Sequence, residues 1–502
     1  MMKLWVAAVL FAVPFQFAQA ITLSSSGEEV AYEYEFTFRS LEKGEDLDEE
    51  KTREAASFHA AHLFGIFHSP EVAAAHDFPA ELIEGFAGTK HPIVVTAEDF
   101  AREGDPYRWI RYRAQGTFLL LKAVARHWLG DHTTGIAKLS LLKDLPAIYS
   151  DDRQRYRDAR WRKCTDSHYD STADFSYFYT PYRCPELGKA PLAAKTPFSL
   201  RRINGPAQAS RHFVPRTAIY GPNGNGKLTT LYFVSGFDTN PESGTEPAQI
   251  HRDSGWKSYA SIENLLTQKY GFRRVESLKD LRETLGNQFK RLDLLTPVTL
   301  EHDDQRRYFS TFVKEAEGQI LVARSALFNT DNEKGSQALR SFPKFWKEAW
   351  ENGDVIYFGG HSGDGQSLNL TNMLDTLERM NLDSIHFKKN KTQVVVLDSC
   401  SSYAHYLDIY KDRKPKNLHL VSFGLVSLFH LGTATLEGLL DITLGPDTGK
   451  QTWVEALSSI EKGQLKAHID YFYEPADREE MLEYFKSRGQ FPSSLVGVTT
   501  EP

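Results

Sequence analysis

Two stretches of this chain end in residues able to do covalent chemistry. The apolar run Val355-Ile356-Tyr357-Phe358 leads into Gly359-Gly360-His361-Ser362-Gly363-Asp364-Gly365. The run Val394-Val395-Val396-Leu397 leads into Asp398-Ser399-Cys400-Ser401-Ser402. An imidazole beside a thiol is the smallest set that makes a thiolate nucleophile and returns a proton to a leaving group. Both runs read as buried strands, and in open α/β sheets reactive groups collect beyond the carboxyl ends of strands. With one helix between them the two strands are neighbours if the crossover is simple, so His361 and Cys400 are expected to face each other above the sheet. The glycines around His361 let a substrate backbone approach closely, and a helix start near Cys400 favours the thiolate through its dipole.

The elements that must hold these residues follow from the apolar pattern of residues 213–502. Apolar strands are expected at Leu228–Gly236, Phe272–Glu276, Val355–Phe358, Thr392–Leu397 and Leu418–Phe423, with a hairpin of Arg307–Val313 and Gln319–Phe328 around Glu317-Gly318. Helices are expected at Ser254–Tyr270, capped by Ser254, and at Leu278–Leu292, Gln337–Trp350, Leu370–Met380, Ser402–Tyr410, Thr433–Leu440 and Thr452–Ile460. Continuous apolar strands alternating with helices predict an α/β domain built on a largely parallel sheet flanked by helices. A smaller α+β domain, 21–184, precedes it. There Val30, Tyr32, Tyr34, Phe36 and Phe38 alternate on one strand face, Glu49–Phe67 reads as a helix, Tyr107–Ala114 as a strand and Thr117–Leu129 as an apolar helix. Residues 185–212, rich in Pro, Ala, Lys and Gly, read as a linker.

The two strand ends resemble those of the caspase-like cysteine peptidases, which include caspases, legumains, gingipains and separases. In that family one hydrophobic strand ends in a catalytic His and a later one near the nucleophilic Cys; here Val355–His361 and Val394–Cys400 carry the likeness. The segments Gly438-Leu439-Leu440 and Gly449–Trp453 are similar to helices that follow the nucleophile in bacterial relatives. The resemblance implies that Cys400 attacks a scissile peptide carbonyl and His361 protonates the leaving amine. The backbone N–H of Cys400 and of the Ser362–Gly363 turn would hold the oxyanion. It also implies preference for a charged side chain before the cut, for which Asp238 (basic) and Arg252 (acidic) are the candidate selectors. A non-catalytic binding or scaffold protein on the same fold, and another thiol-dependent acyl hydrolase or transferase, remain as alternatives.

The first twenty residues set the compartment. Lys3, an apolar stretch from Leu4 to about Phe17, and Ala18-Gln19-Ala20 form the pattern of a secretory signal cleaved after Ala20, which predicts a secreted or periplasmic protein. No later stretch is long and apolar enough to predict a membrane span. Three cysteines are present. In an oxidising compartment Cys164 and Cys184 are natural disulfide partners, which leaves Cys400 as the free thiol. A net charge of −7 with mixed signs does not suggest a nucleic-acid partner; the resemblance to caspase-like peptidases implies a peptide or protein substrate. No cofactor or metal is expected. Gly221–Lys227 resembles a phosphate-binding loop, but Leu228 stands where Ser or Thr is needed and a strand follows instead of a helix. His59, His62 and His68 read as surface or partly buried helix histidines, and a zinc site of Cys164, His168 and Cys184 lacks a fourth ligand. The first domain could shield the active site, present substrates or anchor the protein to a partner.

Overall fold

The computed structural model describes residues 21–44, 46–61, 86–139, 141, 143–144, 195–204, 211–220, 228–238, 247–300, 308–316, 318–330, 341–362, 365–444, 451–488, 491–492 and 494–500. Fourteen strands in these residues form two sheets. In chain order they are β1 (Ile21–Leu23), β2 (Gly27–Lys43), β3 (Phe86–Ala101), β4 (Tyr107–Leu121), β5 (Thr134–Leu139), β6 (Thr196–Arg202), β7 (Leu228–Gly236), β8 (Arg273–Arg274), β9 (Tyr308–Ala316), β10 (Gln319–Phe328), β11 (Val355–Gly359), β12 (Gln393–Asp398), β13 (Leu418–Phe423) and β14 (Leu495–Thr499).

The larger sheet has nine strands in the order β1-β14-β13-β12-β11-β7-β10-β9-β8. Its centre, β13-β12-β11-β7-β10, is parallel throughout. Every pairing outside that centre is antiparallel. The expected largely parallel sheet is therefore corrected to a mixed one with a parallel core. The edges run the other way because tight connections and late returns supply them: β9 and β10 form the expected hairpin, and β14 comes back from the last helices. Residues of the parallel core are buried on both faces. Val394, Val395, Val396 and Leu397 are each at most 1% exposed, as expected of an unbroken apolar run with helices above and below. Full burial of each such side chain is worth roughly 1.5–3 kcal/mol.

Helices pack both faces. Ser254–Asn264, Phe429–Leu444 and Trp453–Phe472 cover one, and Ser341–Asn352 with Leu370–Arg379 the other. The cap of Ser254–Asn264 is Asp253, not the expected Ser254; its carboxylate accepts from Trp256 N at 3.0 Å.

The second sheet is antiparallel, in the order β3-β4-β2-β6-β5, with the helix Glu49–Ala61 against it. The alternating residues Val30 to Phe38 of β2 all point into its core. Two expectations fail here. Thr117–Leu121 continues β4 instead of starting a helix, because Phe118 to Leu121 pair with Gly27–Val30 of β2; the helix is only Lys122–Leu129. A short run of buried apolar residues fits either element until its pairing partner is known. Residues 196–202 of the expected linker form β6, hydrogen-bonded between β2 and β5. The start of the first domain also leaves it, since β1 joins the large sheet beside β14. Cys164, Cys184, His62, His68, His168 and residues 221–227 lie outside the described residues.

Candidate active site

Strand order decides where reactive groups can meet. From β7 the chain runs to the far edge at β8, returns inward through β9 to β10 and then crosses to β11 on the other side of β7. The carboxyl ends of β7 and β11 thus flank a topological switch point, the kind of place where open α/β sheets carry their sites. Register places Gly359 of β11 opposite both Ser235 of β7 and Asp398 of β12. Asp238, His361 and Cys400 follow these three strand ends, so the expected adjacency of the His and Cys strands holds.

His361 is held from the β7 side. Its Nε2 lies 3.0 Å from the backbone carbonyl of Asp238 and 3.3 Å from Asp238 Oδ1. A carbonyl oxygen only accepts, so Nε2 carries the hydrogen and Nδ1 is left as the basic nitrogen of the neutral ring. Phe429 packs edge-on against the imidazole at 5.2 Å and restricts its rotation. Asp238 is itself fixed, its N–H donating to Asp253 Oδ1 at 3.2 Å.

Cys400 is half-buried and unbridged, with its thiol donating to the Ser427 carbonyl at 3.5 Å. One segment therefore touches both members of the pair: Ser427 meets Cys400, and Phe429, two residues on, meets His361. The turn around Cys400 is stapled. Ser401 adopts a left-handed φ of 49° and donates its N–H to Leu425 O at 2.8 Å. Ser402 Oγ donates to Leu397 O at 2.6 Å and accepts from Phe423 N at 2.8 Å, binding the turn to β12 and β13. The helix after Cys400 is a single turn, Ser402–His405, so the expected dipole assistance is small.

The two loops are tied together. Tyr406 OH donates to the Ser362 carbonyl at 2.5 Å, and that carbonyl also accepts from Gly365 N and Ser367 N. Ser362 is buried, so it shapes the turn from beneath; Gly363 lies outside the described residues.

Asp398, two residues before Cys400, is a feature that the sequence reading left without a role. It is buried, accepts from Tyr357 OH at 2.7 Å and also from the Ser427 hydroxyl, and burial pushes its carboxyl up to about 6. Its proximity in sequence to Cys400 was the available signal; its burial was not legible. The sign of its effect on stability follows. An unfolded Asp titrates near ~3.9, so between that value and about 6 the folded state keeps a proton that the unfolded state has released. Asp398 thus favours the fold at low pH, and that contribution fades as pH rises through about 6. Buried Glu461 shifts in the same direction, also through desolvation, so the difference between variants isolates Asp398. Asp398→Asn should flatten the fall in denaturant midpoint between pH 4.5 and 7; an unchanged slope would contradict the assignment.

The candidate selectors fall differently. Asp238 engages His361, the geometry of an orienting group, while its side chain keeps an exposed face. Arg252 is exposed at the end of the 3-10 turn Pro247–Arg252, beside the Asp253 cap. Should Cys400 and His361 cleave peptides, Asp238→Ala is expected to lower kcat about tenfold on all of them with little change in KM, since the backbone carbonyl still fixes the tautomer. A rise in KM confined to basic peptides would instead support the selector role.

Among the described residues no three His, Cys, Asp or Glu side chains gather as a metal site, and no helix is long and apolar enough to cross a membrane. His59 is fully buried, more than expected, stacked on Phe38 at 4.2 Å with Nδ1 2.8 Å from Tyr112 OH. No protein-family model matches this chain, and no curated protein matches it.

Proposed function

We propose that this chain is an exported cysteine peptidase with a caspase-like domain over residues 213–502. The supporting observation is the convergence of Cys400, His361 and Asp238 on adjacent parallel strand ends at the switch point of the sheet. In this reading His361 Nδ1 takes the Cys400 proton. The thiolate then adds to the scissile carbonyl, and the oxyanion rests on the backbone N–H of Cys400 and of the Ser362–Gly363 turn. Collapse expels the amine, protonated by His361, and leaves a thioester. Water attacks that thioester with His361 as base, releasing the carboxylic acid product and restoring the thiol.

Export through residues 1–20 fits the chemistry, because it pairs Cys164 with Cys184 and leaves Cys400 reduced as the sole nucleophilic thiol. A secreted or periplasmic location is part of the same proposal, and the substrate is a peptide or protein. The test is incubation of the mature protein, residues 21–502, with a mixed peptide library beside Cys400→Ala. Cleavage by the first and not the second supports the reading. Equal cleavage by both overturns it, and cleavage by neither favours a scaffold on the same fold.

A further inference from the structure

The antiparallel N-terminal sheet meets the reactive loops without intervening side chains. A Cβ added to Gly88 of β3 would lie 2.8 Å from the Gly424 carbonyl oxygen, and one added to Gly424 would overlap the Ala87 carbonyl. Gly424 follows directly on β13 and opens the segment whose Leu425 carbonyl holds Ser401 N and whose Ser427 touches both Cys400 and Asp398. The backbone of β3 is therefore seated on the segment that fixes the nucleophile.

The same sheet grips the other side of Cys400. Tyr403, in the turn that follows the thiol, is fully buried and donates its hydroxyl to Glu29 Oε1 of β2 at 2.7 Å. Lys90 of β3 lies 3.8 Å from Glu29 Oε1, donates to Asp408 Oδ2 at 2.7 Å and sits 4.8 Å above the Tyr403 ring. The Tyr403–Glu29 bond is buried and charge-assisted, stronger and more directional than a neutral surface bond, and Lys90 ties it to the half-exposed Asp408. Burial and the neighbouring Glu29 carboxylate hold the Tyr403 hydroxyl protonated, so it stays a donor.

We propose that the N-terminal sheet is a positioning part of the active site. Through the Gly88–Gly424 junction and the Glu29–Tyr403 bond it sets where the Cys400 turn stands relative to His361. A detached C-terminal domain would then lack a competent site. This rests on Cys400 being the nucleophile, but part of its test does not.

The experiment uses the full mature chain with Gly88→Ala, Glu29→Ala and Glu29→Gln, each checked by thermal melting. Two quantities are read: kcat and KM on a peptide that the wild type cleaves, and the rate of Cys400 alkylation by iodoacetamide against pH, resolved from Cys164 and Cys184 by peptide mass. Displacements below 1 Å at a reacting pair cost up to about 100-fold, so Gly88→Ala and Glu29→Ala should each lower kcat about tenfold or more with KM nearly unchanged. Both should also move the alkylation profile. Glu29→Gln keeps an acceptor for Tyr403 and should restore most of both. Folded Gly88→Ala and Glu29→Ala proteins with wild-type alkylation profiles would overturn the proposal. If Gly88→Ala does not fold, the Glu29 pair decides alone, with equal behaviour of Ala and Gln counting against it. Absence of peptide cleavage by the wild type sinks the peptidase reading but leaves the alkylation arm to judge positioning.

Discussion

Cys400→Ala should bring peptide cleavage to background while the melting temperature stays within a few degrees of wild type. The thiol donates weakly to Ser427 O and is only half-buried, so its removal disturbs little packing. In the proposed reaction its loss removes the atom that forms the acyl intermediate, and two serines close to it in sequence among the described residues are not free to replace it. Ser399 is fully buried, and the Ser402 hydroxyl is committed to Leu397 O and Phe423 N. His361→Ala should be slightly less severe, lowering kcat about 10²- to 10⁴-fold, the usual contribution of a positioned proton-transfer group. The pair should behave as a unit, so the double variant should cost about as much as Cys400→Ala alone. Additive losses would show that the two residues do not act on one step.

The second large effect concerns the fold. Glu348→Ala should lower unfolding free energy by about 3–5 kcal/mol, read from urea denaturation. Glu348 is fully buried in the helix Ser341–Asn352 and pairs with Arg324 of β10, which is 1% exposed. The carboxylate also accepts from Leu295 N, Thr296 N, Thr296 Oγ1 and Tyr232 OH. Burial already pulls the Arg324 guanidinium down to about 10 with its partner present. Without Glu348, Arg324 would keep only neutral acceptors, among them Pro297 O, and the Leu295 and Thr296 amides would lose the carboxylate that accepts from them. Replacing both charges by apolar residues of similar volume should cost less than the single change, because desolvation is then relieved for both. A single-variant loss below ~1 kcal/mol would mean that water reaches the site.

How much of this was legible in the residues depends on the range of each interaction. Strands Leu228–Gly236 and Leu418–Phe423 were readable to the residue, because their apolar runs are bounded by turns and buried on both sides. That His361 and Cys400 stand beyond the ends of neighbouring strands was readable, because apolar runs locate those ends. β1, β5, β6 and β14 were not. Thr196–Arg202 alternates weakly and becomes a strand only because β2 and β5 lie on either side of it. The partner of His361 was equally out of reach. Asp238 stands 123 positions earlier in the chain, and as a lone loop charge it suited a substrate pocket as well as an imidazole. Its role comes from the return of the chain across β7, a property of strand order that no local pattern carries. The burial that raises Asp398 depends in the same way on Tyr357 and Ser427 arriving from other elements.

The pairing of β1 with β14 has a consequence in time. Ile21 lies opposite Thr499, and Ser24 Oγ donates to Leu495 O at 2.8 Å, so the first strand synthesised waits for the last. At about 5–20 residues per second that interval is on the order of a minute. The Ser494 carbonyl, which holds the amide of Gly424 at the head of the Cys400 segment, is made with β14. A chain that has not yet reached Ser494 therefore lacks this anchor of the loop around Cys400, so the closing of the large sheet and the setting of that loop fall together, late in folding.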